Sequence, residues 1–141
     1  MSGAGYEDDE SIRDDCELLR RVQVKPEFTV VWDENLGRWR PSSAAFRDHP
    51  NGSPMSVVLR DVLEEQNRSL EEVLHGHTGF ALAAITAGFA RQCHQKIVRD
   101  PLPEEPAHAH VVGKKKKASR KMAKQSVWVF APDLPSPETN H

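Results

Sequence analysis

Apolar positions in this chain fall in short clusters separated by turn formers. Leu18, Leu19, Val22 and Val24 make the first, and their spacing fits a helical turn or a first strand. Pro26 closes it, because the residue before a proline is pushed out of helical geometry. Phe28-Thr29-Val30-Val31-Trp32 is an unbroken aromatic and β-branched run, which predicts a strand. Asp33 to Gly37 then reads as a hairpin loop with Gly37 at a positive-φ position. Arg38-Trp39-Arg40 reads as the return strand, with Trp39 facing away from the two arginines.

The next clusters lean towards helix. Val58, Leu59, Val62 and Leu63 lie at i, i+1, i+4 and i+5, an apolar stripe that Ser53 or Ser56 would cap. Ser69 with Glu72 forms a capping box for a second short helix carrying Leu70, Val73 and Leu74, which Gly76 ends. Residues 79–91 read two ways. Their alanines favour helix, while alternation of Phe80, Leu82, Ala84 and Thr86 favours strand, and the strand reading leads. Residues 95–99 and 108–112 predict further strands, Ala118 to Gln125 a basic helical segment, and residues 127–130 an apolar anchor.

Together these elements predict one α+β domain over residues 16–130, with an antiparallel β-hairpin and sheet and two to three short helices. Residues 1–15 have little to bury and are expected to form a disordered acidic tail. Residues 131–141, with Pro132, Pro135 and Pro137, are expected to form a disordered Pro-rich tail.

The length of 141 residues suits one domain, and a chain of that size folds without a disulfide or a metal. A formal net charge of −2 gives no global argument for a nucleic-acid or membrane partner. The distribution says more. Glu7 to Glu17 holds seven acids against Arg13, and Lys114 to Lys124 holds seven bases and no acid. This asymmetry predicts that the acidic tail docks on the basic segment. Cys16 and Cys93 read as free thiols of a reducing, cytoplasmic compartment. No apolar run has the length of a bilayer span, and the N-terminus has no signal-peptide pattern.

The candidate chemistry centres on Pro106 to Lys117, where His108 and His110 precede Gly113 and four consecutive lysines. On a strand both imidazoles point to one face and could chelate together, with His75, His77, Cys93 or His94 completing a zinc set. No carboxylate stands at a recognised ligand spacing, so the expectation is no metal and no cofactor. In an enzyme acting on a nucleotide or phosphorylated substrate, His108, His110, Arg38 and Arg91 would be the catalytic set. In a binding protein, Arg38, Arg40, Lys114, Lys115, Lys116 and Lys117 would meet the partner.

Gly37-Arg38-Trp39-Arg40-Pro41-Ser42-Ser43, with Leu18-Leu19-Arg20-Arg21 upstream, resembles the RES-type branch of ADP-ribosyltransferase-like folds. The resemblance implies that Arg20 or Arg21 holds a cofactor pyrophosphate and that Arg38 assists, through forked guanidinium donors. The chain departs from that pattern where Ala44-Ala45-Phe46 replaces an aromatic-threonine-serine segment, and the family's later glutamate could only be Glu64 or Glu65. There is no phosphate-binding glycine loop and no nucleophile elbow. The leading expectation is therefore a non-enzymatic accessory or binding protein with a protein or anionic partner. Nucleic acid ranks below a protein partner, and a membrane is not expected. The small enzyme and a His-rich metal-binding domain are the alternatives.

Overall fold

The computed structural model describes residues 6–137. The parts of the two expected tails at residues 1–5 and 138–141 lie outside the described residues. In chain order the elements are β1 (Glu17–Gln23), β2 (Val30–Asp33), β3 (Arg38–Pro41), β4 (Met55–Leu59), α1 (Arg60–Glu65), β5 (Phe80–Thr86), α2 (Ala87–Gln92), β6 (Lys96–Arg99), β7 (His108–Val112), α3 (Ala118–Gln125) and β8 (Val127–Phe130). Short 3-10 turns occupy Ser43–Ala45 and Glu71–Leu74. Six strands form one antiparallel sheet in the order β6-β7-β4-β1-β5-β8, and β2 and β3 form a separate hairpin. The expected class, a small α+β domain with an antiparallel sheet and three short helices, is what the chain adopts.

The sheet is built around β1. It pairs with β5 from Glu17↔Thr86 to Gln23↔Phe80, and with β4 at Leu18↔Leu59 and Leu19↔Val58. Strand alternation sorts the core into two layers. Leu18, Val22, Val57, Ile85, Ala109 and Val111 face one way and pack with Phe46 and with Met122 of α3. Leu19, Val58, Leu82 and Ala84 face the other way, under Leu63 of α1 and Val73 of the second 3-10 turn.

Several sequence expectations change here. The stripe predicted as a helix over 58–63 is split: Met55–Leu59 is strand, and the helix starts only at Arg60. Val57, Val58 and Leu59 are all buried, so both sides of β4 are covered, and a strand with two covered faces loses its alternation. Ser56 is therefore a sheet residue and not a helix cap. Ser69 and Glu72 do not form a capping box, since Glu72 binds the Arg68 guanidinium at 3.0 Å and the segment makes a single 3-10 turn. Residues 79–91 are both things in turn, strand to Thr86 and then helix. The Thr86 hydroxyl caps α2 by accepting from the Phe89 amide.

Among the described residues the acidic stretch makes no ion pair with Lys114 to Lys124, although Lys96 donates to the Tyr6 carbonyl at 3.0 Å. Asp8 and Asp14 pair with Arg91 at 3.1 and 2.7 Å, and Asp9 pairs with Arg99 at 3.0 Å. The Asp9 amide donates to the Ile97 carbonyl, the Ile97 amide donates to the Asp8 carboxylate, and Ile12 is buried. Within the Pro-rich segment, the Pro135 carbonyl accepts from the Trp39 indole at 3.0 Å. Among the described residues no helix is long and apolar enough to cross a membrane.

Candidate functional site

Strand β7 positions both groups of chemically capable side chains. Ala109 and Val111 anchor it in the helix-covered core layer, so His108, His110 and Val112 point to the opposite face. The register sets His108 beside Val58 and His110 beside Ser56 of β4, with Val98 of β6 on the other side of His110.

The two histidines converge on one carboxylate. Asp100, which follows β6, places Oδ2 3.1 Å from His108 Nδ1 and 3.1 Å from His110 Nε2. His108 Nδ1 also lies 2.9 Å from the Asp100 carbonyl, and His108 Nε2 lies 3.0 Å from Ser56 Oγ. A ring nitrogen between two oxygen acceptors carries the proton, so Nδ1 donates to Asp100 and Nε2 accepts from the Ser56 hydroxyl. The rings meet edge to face with centroids 5.0 Å apart. His110 Nδ1 is buried without a hydrogen-bond partner among the described residues. Sequence spacing did not identify Asp100: it sits eight positions before His108, across the Pro-rich loop, and only the β6–β7 pairing brings it back.

At the far end of β7 the chain opens into a basic basin. A cavity of 790 Å³ is lined by Lys96, Lys114, Lys116, Lys117 and Lys121, with His94 and Cys93, and by no acid among the described residues. Val112 lines it as well, two residues beyond His110 on the same face, about 7 Å along the strand. Three local features build the basin. Gly113 takes a φ of +152°, and a Cβ there would lie 2.8 Å from the Gln95 side chain and the His94 carbonyl, so only glycine lets the loop pass. Gln95 is buried and its amide nitrogen donates to the Lys114 and Cys93 carbonyls. His94 holds the left-handed position after α2, at a φ of +62°, where glycine is the usual occupant.

The four consecutive lysines divide. Lys115 turns inward, its side chain 8% exposed, and donates to the Val111 and Gly113 carbonyls and to Asp48 at 2.9 Å. Burial lowers its ammonium pKa, against the pull of Asp48. Lys114, Lys116 and Lys117 stay exposed and make no ion pair among the described residues. The N-terminus of α3 opens between them, with Lys117 at its cap and Ala118 lining the cavity.

The remaining candidates lie elsewhere. Arg38 lines a shallow groove with Trp32, Trp39 and Trp128, beside β8 at the opposite edge of the sheet. Four strand spacings, about 19 Å, separate β8 from β7. Arg40 pairs with Asp33 at 3.2 Å, and Arg91 is held by Asp8, Asp14 and the Asp9 carbonyl. Arg20 is spent on the Ala45, Ser56 and Arg47 carbonyls, and burial lowers its pKa to about 10. Arg21 donates to the Val73 carbonyl. His75 and His77 do not join the other histidines; among the described residues Asp100, His108 and His110 form the one group of three with metal-ligating geometry. Both cysteines are free and buried, and burial pushes the Cys16 thiol up to about 11.

Comparison with known proteins places the chain in no family: no family model, no curated protein and no solved structure matches it.

Proposed function

We propose that this chain is a binding protein for a phosphate-bearing polyanion, which it holds in the lysine basin of β7 and α3. One observation carries the reading: among the described residues, five lysines and no carboxylate line one cavity of 790 Å³. Lys114, Lys116 and Lys117 make no ion pair among the described residues, so their like charges repel one another, and an anion removes that cost while gaining several donors at once. The volume falls in the range of small-ligand sites. Lys117 at the cap of α3 and Ala118 of its first turn line the cavity, so the positive end of that helix dipole lies at the basin.

The Arg38–Arg40 hairpin is secondary in this reading, because Arg40 already has Asp33 and the tryptophans beside Arg38 are covered by the 131–136 segment. Calorimetric titration with tripolyphosphate tests the proposal. Wild-type protein should bind with an affinity that falls as salt rises, since exposed charges are screened over about 10 Å at 0.1 M. The double variant Lys114→Glu/Lys117→Glu should bind at least about tenfold more weakly. A salt-independent affinity, or an unchanged affinity in the variant, would remove the reading.

A further inference from the structure

We infer that Asp100, His108 and His110 form a divalent-metal site of the two-histidine, one-carboxylate kind, with zinc its best-suited occupant. The inference stands apart from the lysine basin. Two imidazole nitrogens from different residues lie 3.1 Å from one and the same carboxylate oxygen, and the ligating atoms of all three residues fall within 4.8 Å of one another. An ion bonded to such ligands at about 2.0–2.1 Å holds neighbouring ligand atoms about 2.9–3.4 Å apart, in octahedral or tetrahedral order. The two observed nitrogen–oxygen separations fall inside that window.

The chemistry of the donor set fits a borderline-soft cation. Two neutral imidazoles and one carboxylate are the protein ligands of many open zinc sites, with water in the remaining position. Imidazole that binds metal through one nitrogen commonly donates from the other, and His108 has Ser56 Oγ 3.0 Å from Nε2 to receive that proton. On metal binding the His108 proton moves from Nδ1 to Nε2, and the His110 proton moves from Nε2 to Nδ1.

The strand geometry also supplies the rigidity a metal site needs. His108 and His110 are successive residues of one face of an interior strand, and the Asp100 amide is tied to the His108 carbonyl at 2.9 Å. A competing arrangement uses part of the same set: Ser56 hydroxyl, His108 and Asp100 are ordered like a hydrolytic triad. That arrangement has no use for His110 on the same carboxylate oxygen, which is why the metal reading is preferred.

The test uses the full chain and the metal alone. Equimolar Co²⁺ should give one visible absorption band set per chain, displaced by Zn²⁺, and native mass spectrometry should show one bound ion. His110→Ala and the isosteric Asp100→Asn should each weaken binding at least about tenfold, with the far-ultraviolet dichroism unchanged. His75→Ala should bind as wild type does. Absence of a bound ion in the wild-type protein, or equal affinity in wild type, His110→Ala and Asp100→Asn, would overturn the site. Covalent labelling of Ser56 by a fluorophosphonate in chelator-treated protein that binds no metal would overturn it in favour of the triad.

Discussion

The arginines and the lysines of this chain do opposite work. Arg68 reaches Glu105 through two nitrogens, at 2.7 and 3.0 Å, Arg91 and Arg99 take up Asp8, Asp14 and Asp9, and Arg60 binds Glu17. Arg20 has no carboxylate partner and is satisfied by three carbonyls. Forked guanidinium donors suit such fixed, many-pronged contacts. Lys114, Lys116, Lys117 and Lys121 instead surround a cavity with no acid in its lining. Lys115 crosses over, and by binding Asp48 and two carbonyls it fixes the loop that presents its neighbours. A net charge of −2 therefore hides a division between cations spent on architecture and cations that line an open cavity.

Breaking the arginine side should cost the most stability. Glu105 is 6% exposed. Burial alone would raise its carboxyl pKa, but hydrogen bonds from Arg68 and the Ala107 amide, with the charges of Arg68 and Arg21, hold it below the usual value. Glu105→Gln should lose about 2–3 kcal/mol, because it removes the charge-assisted hydrogen bonds from Arg68, which keeps only the exposed Glu72 carboxylate, as read by urea unfolding. A lowered native pKa favours the ionised form, so this contribution is complete above the unfolded glutamate pKa of about 4.3 and is lost as pH falls below it. The Gln variant should flatten the wild-type decline in that acid range.

Arg20→Met should come next, at about 2 kcal/mol, because buried carbonyls lose their donor. Lys114→Glu/Lys117→Glu should shift stability by only about 0.5 kcal/mol while removing anion binding, which separates the two sides most cleanly. The one expected gain in stability concerns the shape of the basin. His94→Gly should raise stability by about 1 kcal/mol, because glycine occupies the left-handed region without a Cβ penalty, and should weaken tripolyphosphate binding. A stability loss on that substitution would show that the imidazole packs structurally instead.

Elements whose local pattern agrees with their burial were legible in the sequence, and those whose pattern conflicts with it were not. Residues 108–112 and 118–125 form the strand and helix that their patterns predict, because local propensity and tertiary burial agree there. Met55–Leu59 was misread because a doubly covered strand carries consecutive apolar residues, and these imitate a helical stripe when α1 follows directly. The basic basin was visible as Lys114 to Lys117, but which lysine turns inward depends on Asp48, a long-range partner. The His108–His110 pair was visible through strand periodicity. Its carboxylate was not, since Asp100 returns through the β6–β7 pairing and not through a ligand spacing. Arg91 looked like a free catalytic cation because the acids that neutralise it lie more than seventy positions away.

The most direct measurement is a ¹H–¹⁵N NMR titration of the full chain with tripolyphosphate at low salt. The account predicts that amide shifts concentrate at His94, Lys96, Gly113 to Lys117 and the first turn of α3, and that they collapse in Lys114→Glu/Lys117→Glu. Shifts concentrated at Arg38 and Arg40, or none at all, would contradict it.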